Sequence, residues 1–311
     1  MSSAPAGSTI ICENWYPLEL SKPIIIDKPL TLQGLNARLP EKLGETSLIE
    51  VTSENVTLAD LELHGNYNPV DQENRAPLIK IHKGGFRVER CWFFNSSKDG
   101  VQISPVAGAK EDIIGGIVKD SKAFRMGRDA VSISGGVESL KIRNVTVENV
   151  SQKKGYYRGA VEVSDGTDNI TVRYVYAEDC VYALDVQDHR RDCASNTNVS
   201  IENVIAVNCR HILRTANSPR GDASLTLRNL KGDNCESPIY IKNTESVSID
   251  TVTILNHQSK EKAPISFDNC QQLTLRNTTI ESIHFANQPV TLKDCKDVDI
   301  QELTKNKLST H

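Results

Sequence analysis

The sequence contains no apolar run approaching the eighteen or so residues that a membrane-spanning helix needs. Its 8 cysteines include no CxxC pair, which argues against a zinc ribbon. Aromatic residues make up only 5% of the chain and methionine occurs twice, so a core must be built largely from aliphatic side chains. A basic surface is missing too. With a formal net charge of −4, the chain lacks the concentrated Lys and Arg that phosphate backbones require, and nucleic acid is excluded as an expected partner. The opening residues, MSSAPAGSTI, have neither the basic nor the apolar region of a signal peptide. Such a start fits a cytosolic chain, or an extracellular or periplasmic one whose leader is removed; the second is the expectation taken here.

At 38% hydrophobic and 24% charged, the 311 residues can bury a core. Asn, Thr, Val and Ile are abundant, a mixture suited to stacked β structure because β-branched side chains fill a pleated surface. A repeat organises the chain. NVTLADLEL (55–63), SLKIRNVTVENV (139–150), NITVRYVYAEDC (169–180), NVSIENVIAVNC (198–209) and SLTLRNLKGDNC (224–235) share one template, continued by SVSIDTVTILNH (246–257) and QLTLRNTTIESI (272–283). Each has alternating apolar residues, a polar corner, then a second alternating run. The corners are Asp60, Arg90, Asp120, Asn144, Tyr174, Asn203, Asn229, Thr251 and Asn277, spaced from 22 residues (Asn229 to Thr251) to 30 (Asp60 to Arg90). A further strand belongs to each unit: GVQIS, AVSIS, AVEVS, ALDVQ, ILRTA, PIYIK and PISFD. None of these runs shows a helical period.

The pattern predicts an all-β fold, a right-handed parallel β-helix of about ten coils with three short strands per coil. The whole chain, 1–311, reads as one domain, with 1–35 as N-terminal strands or cap and 296–311 as a C-terminal tail. Like positions should stack about 4.8 Å apart, giving a solenoid roughly 50 Å long. The tight corner requires left-handed backbone, which Asn tolerates best among residues with a side chain. Cys180, Cys209 and Cys235 recur at one repeat position and read as an interior stack, whereas Cys12, Cys193, Cys270 and Cys295 read as exposable. Solenoid ends need covering. The N-terminus offers no amphipathic helix, so a cap is missing or comes from a neighbouring subunit of a homo-oligomer.

Corner Asn residues, xVxIxN strands and the DG- or DA-led junctions KDGVQIS (98–104) and RDAVSIS (128–134) resemble the pectate-lyase-like superfamily of parallel β-helix proteins, which includes polysaccharide lyases and polygalacturonase-like hydrolases. The resemblance spans nearly the whole chain without matching a single family. It implies a polysaccharide or oligosaccharide partner and a cleft along the outer face of the GVQIS-to-PISFD strands. The sequence departs from the polygalacturonase pattern: Arg128-Asp129 stands in place of paired aspartates, and YRGAVEV in place of a Gly-His-Gly.

Alternation assigns side chains to faces. With Val101, Val131, Val161, Leu184, Leu213, Ile239 and Ile265 inward, the next outward column is Gln102, Ser132, Glu162, Asp185, Arg214, Tyr240 and Ser266. The junction column runs Asp99, Asp129, Gly159, Tyr182, His211, Ser237. Carboxylates thereby gather on adjacent rungs, beside His211, Arg214 and Lys242. Two carboxylates one rung apart separate their pKa values or hold a cation. In the leading expectation, a lyase, Ca²⁺ bound by Glu162, Asp165, Asp185 and Asp188 bridges a uronate while Arg214 or Lys242 removes a proton for β-elimination. The alternative is a hydrolase or transglycosylase in which Glu162 and Asp185 form the catalytic carboxylate pair. A third reading is a non-catalytic β-helix for glycan binding, adhesion or assembly, with the charges an ordinary solvated face. Asp129, Tyr157, Arg158, Tyr182 and Tyr240 are the candidate substrate-binding residues, the tyrosines by stacking on sugar rings.

Overall fold

The computed structural model describes residues 3–40, 46–67, 76–107, 109, 111–150, 159–189, 194–217, 222–282 and 288–307. Among them there is no helix, and so none long and apolar enough to cross a membrane. The chain winds as a parallel β-solenoid of about ten turns. Between the end coils, strands pair in parallel with strands of the coils before and after, as Val131–Ser134 does with Val101–Ile103 and with Gly159–Ser164.

Three faces result. The first carries Ile24–Ile26, Ile49–Val51, Ile79–Ile81, Val101–Ile103, Val131–Ser134, Gly159–Ser164, Tyr182–Gln187 and His211–Ala216, and ends at Val290–Lys293. The second and third faces flank the corner, and in the later coils they join through it into long strands such as Val137–Glu148 and Ile265–Ser282. Val298–Ile300 and Leu303–Lys307, in the stretch expected as a tail, pair with the last long strand.

The inward column is as the alternation assigned it. Val131, Val161, Leu184, Leu213, Ile239 and Ile265 stand in register and are fully buried. All nine corner residues have positive φ, between 50° and 65°. Asn and Asp pay little for that conformation, and their side chains link rungs: Asn144 Nδ2 donates to Asp120 Oδ1 at 2.9 Å. A second left-handed corner, unanticipated, follows the third strand at Asn95, Arg125, Asn149, Asp179, Asn208, Asn234 and Asn256. There Asn234 Nδ2 donates to Asn208 Oδ1 at 2.7 Å. Cys180, Cys209 and Cys235 lie inside, each one residue beyond this second corner. Cys270, expected to be exposable, is buried as well, and burial pushes its thiol up to about 12. Cys12 and Cys295 are half-buried, and Cys193 lies outside the described residues.

At the N-terminal end the first coil leaves Trp15 and Tyr16 almost wholly exposed.

Candidate functional site

The first-face outward column is a continuous ladder: Gln102 opposite Ser132, Ser132 opposite Glu162, then Asp185, Arg214, Tyr240 and Ser266 on successive rungs. Strand pairing alone therefore places Glu162 and Asp185 side by side. What alternation does not convey is that the middle of this ladder is covered. Ser132 and Asp185 are fully buried and Glu162 is 3% exposed. Arg128, Gln187, His189 and Arg214 lie over them and meet the solvent instead.

Every acidic group there has a cationic or hydroxyl partner, as buried charges must. Arg128 forks onto Asp99, with Nε and a terminal nitrogen donating at 2.7 and 2.6 Å. The same guanidinium donates to Ser132 Oγ at 3.0 Å, and that hydroxyl donates to Glu162 Oε2 at 2.8 Å. On its other oxygen Glu162 accepts from Gln187 Nε2 at 2.7 Å, with His189 Nε2 3.4 Å away. The His189 backbone N–H and Nδ1 reach the two oxygens of Asp165 at 2.6 and 3.1 Å. Arg214 holds Asp185 through two nitrogens and also reaches Gln187 Oε1 at 3.3 Å.

This network drives the two carboxylates apart. Burial pushes Glu162 upward, but hydrogen bonding from His189, the Arg128 charge and bonds from Ser132 and Gln187 outweigh it and hold it at about 2. In Asp185 burial prevails over the charge and hydrogen bonds of Arg214 and lifts the carboxyl to about 6. Hydrogen bonds to Asp165 and Glu162 raise His189 to about 10, so it is an imidazolium at neutral pH. Asp129 is pushed well above the usual carboxylate range by burial and by the Glu162 charge.

Several residues expected on the cleft surface sit elsewhere. Tyr182 is buried rather than free to stack on a sugar: its ring crosses Gly159, its hydroxyl donates to Asp129 Oδ1 at 2.9 Å two rungs away, and the Arg214 guanidinium covers it at 5.2 Å. Asp129, expected to touch substrate, is likewise fully buried; its Oδ1 also accepts from Gly159 N at 3.0 Å, and Arg128 Nε is 3.3 Å from its Oδ2. His211 is buried, its Nδ1 donating to the Ser237 carbonyl at 2.6 Å, and burial lowers it to about 4. Their side chains lie at the turn into the strand, where alternation does not fix direction. Tyr240 is half-buried one rung beyond Arg214, and Lys242 points to Asp268, 3.8 Å away, rather than into the cluster. Tyr157 and Arg158 lie outside the described residues. Sequence reasoning missed Arg128 and Gln187 as site residues, although Arg128 had marked a departure from the family pattern; His189 directly follows Asp188, which it had named.

The four carboxylates expected to bind calcium do not converge. Glu162 and Asp165 are engaged by His189, Asp185 by Arg214, and Asp188 Oδ1 accepts from Asn196 Nδ2 at 2.9 Å. Among the described residues no group of three or more His, Cys, Asp or Glu is arranged to hold a metal ion. As placed, their oxygens accept from imidazole, guanidinium and amide nitrogens, and no step below passes through a metal.

No family model matches this sequence, and no curated protein matches it either. Solved structures do. Pre-mature gene product 12 of bacteriophage phi29 superposes with a TM-score of 0.60 at 12% identity, over 93% of this chain and 48% of that one, so the chain spans about half its length. The A-module of Azotobacter vinelandii mannuronan C-5 epimerase AlgE4 gives 0.56 at 11% identity, covering 91% of this chain and 89% of that one. Endo-xylogalacturonan hydrolase of Aspergillus tubingensis gives 0.54 at 10% identity, covering 96% and 85%. At these identities the likeness is one of fold, the parallel β-helix that the repeat implied.

Proposed function

We propose that the chain acts on an acidic polysaccharide as a glycoside hydrolase, with Glu162 the ionised carboxylate and Asp185 its proton-bearing partner. The observation that carries this reading is the direct register of the two residues on adjacent rungs, in surroundings that hold one near 2 and the other near 6. Environments that drive two neighbouring carboxyls apart divide the roles of base or nucleophile and acid between them. A rung spacing of about 4.8 Å lies near the roughly 5–5.5 Å separation of retaining glycosidases. Substrate reaches Glu162 by displacing His189, whose side chain is about half exposed, and Arg128 and Arg214, which lie over the buried carboxylates, are the cations a uronate group would meet there.

The elimination reading needs an unprotonated base, but the Arg214 guanidinium stays a cation at any working pH, and Lys242 pairs with Asp268. Polysaccharides named for two of the fold neighbours support the class of partner. One observation favours a non-catalytic alternative: the near-complete burial of Glu162 and Asp185 suits a locked ion network beneath a glycan-binding surface.

The test is turnover of a panel of uronate polymers and neutral glycans. Hydrolysis releases reducing ends without unsaturated uronate; elimination releases both; a binding module releases neither. Glu162→Gln and Asp185→Asn should each lower the rate by about 10²–10⁴-fold while leaving the circular dichroism of the β-solenoid unchanged. Wild-type turnover in both variants would remove the assignment.

A further inference from the structure

A second groove lies across the solenoid from these carboxylates, on the corner between the second and third faces. It is lined by Asn144, Thr146, Tyr174, Tyr176, Asn203, Ile205, Asn229 and Lys231 and has a volume of about 480 Å³, in the range of small-ligand sites. Its floor is one outward column read off the strand pairing, Thr146 to Tyr176 to Ile205 to Lys231. Thr146 is the smallest side chain of that column, and Tyr174 and Ile205 stand 49% and 41% exposed. The groove thus runs along the axis for three rungs, about 14 Å at the usual strand spacing.

Tyr174 is the anomaly. It occupies a corner where left-handed backbone is obligatory, at φ 57°, in a column whose neighbours Asn144, Asn203 and Asn229 carry the small amides this conformation favours. The rung-to-rung bonding breaks at this residue: Asn144 bonds back to Asp120 and Asn229 to Asn203, and neither bridges the tyrosine. A bulky ring kept in a strained position, half in solvent, gives up local stability, and strain of that kind collects at binding sites. The Arg143 guanidinium packs 5.7 Å from the ring. Among the described residues, neither Arg143, which packs on Tyr174 beside the groove, nor Lys231, which lines it, forms an ion pair with a carboxylate.

We propose that this groove binds an anionic oligosaccharide, as a second saccharide site separate from the first-face carboxylates. Tyr174 and Tyr176 offer faces for the apolar side of pyranose rings. The amides of Asn144, Asn203 and Asn229 supply the donors and acceptors that ring hydroxyls need. Arg143 and Lys231 match acidic groups about three rungs apart. The choice of a uronate polymer as probe rests on the proposed function; the groove itself does not.

The experiment is affinity electrophoresis of the full chain through gels containing polygalacturonate, alginate or a neutral glucan. The catalytically silenced pair of variants Glu162→Gln and Asp185→Asn serves as background, so loss of turnover and loss of this site are read separately. Tyr174→Asn is the decisive variant because it restores the residue type that the corner prefers. It should raise the midpoint of thermal unfolding while weakening retardation by at least about tenfold, and Arg143→Gln should weaken it with no change in melting. Unaltered retardation in Tyr174→Asn, or no retardation of the parent chain by any of the three polymers, would overturn the site. Equal retardation by glucan and the uronate polymers would overturn its anionic specificity.

Discussion

A methyl group at position 159 would lie 2.1 Å from both the ring and the carbonyl oxygen of Tyr182, and no side chain but hydrogen fits there. That vacancy lets the tyrosine cross a rung and hydrogen-bond Asp129, which in turn packs against Arg128 and the Glu162 network. Gly159→Ala should therefore cost about 1–3 kcal/mol through overpacking, measured as a lowered urea midpoint, with impaired turnover because Tyr182 and Arg214 shift together. A midpoint and rate equal to wild type would show that the ring does not depend on this position. The outward column through Glu162, Asp185 and Arg214 was legible in the sequence because period-two alternation, repeated coil after coil, fixes which side of the sheet each residue faces. The burial of Asp129, Tyr182 and His211 was not, since they sit at junctions where backbone turns decide side-chain direction. What His189 does was not legible either: it follows its strand in a loop, and only folding back onto Asp165 and Glu162 gives it these partners.

Corners set the shape of each coil. Every one of the nine on the second-to-third face adopts left-handed backbone whatever residue occupies it, so register is imposed by stacking and Asn is selected by lower local cost. Asn229 both holds φ 51° and donates to Asn203 one rung below. Asn229→Ala should lower stability by about 1–2 kcal/mol from the left-handed penalty, with a further contribution from the lost amide bond, visible in equilibrium unfolding. An unchanged midpoint would mean that the ladder is decorative. The first corner was readable because its polar residue interrupts two apolar runs. The second, at Asn208 and Asn234, was hidden because a single residue there turns the chain just before a buried cysteine, with no second alternating run to mark it.

Across the whole molecule, the fold was legible because a single repeated unit writes it many times over, whereas the chemistry is written once and depends on contacts between coils. The charge network also links folding to pH. Glu162 titrates near 2 in the fold against an ordinary carboxylate value near 4.5, so its contribution is present above about pH 4.5 and lost as pH falls through about 2. His189, raised from 6.5 to about 10, contributes fully below about pH 6.5 and loses that contribution as pH rises through about 10; half exposure keeps its share small. Asp185 works the other way from Glu162: raised from 3.8 to about 6, it contributes below pH 3.8 and loses that contribution as pH rises through 6. Denaturation midpoints taken from pH 2 to 10 should fall at both extremes in wild type. Glu162→Gln should flatten the acid limb, and an acid limb unchanged in that variant would place the titrating group elsewhere.

The pH dependence of kcat/KM on an acidic polysaccharide bears most directly on the pairing of Glu162 with Asp185. An ionised Glu162 and a protonated Asp185 coexist between about pH 2 and about pH 6, so the rate should be greatest in acid and fall above pH 6, with that upper limb absent from the residual activity of Asp185→Asn. A rate that climbs from pH 6 toward 9, or an upper limb retained in Asp185→Asn, would contradict the account.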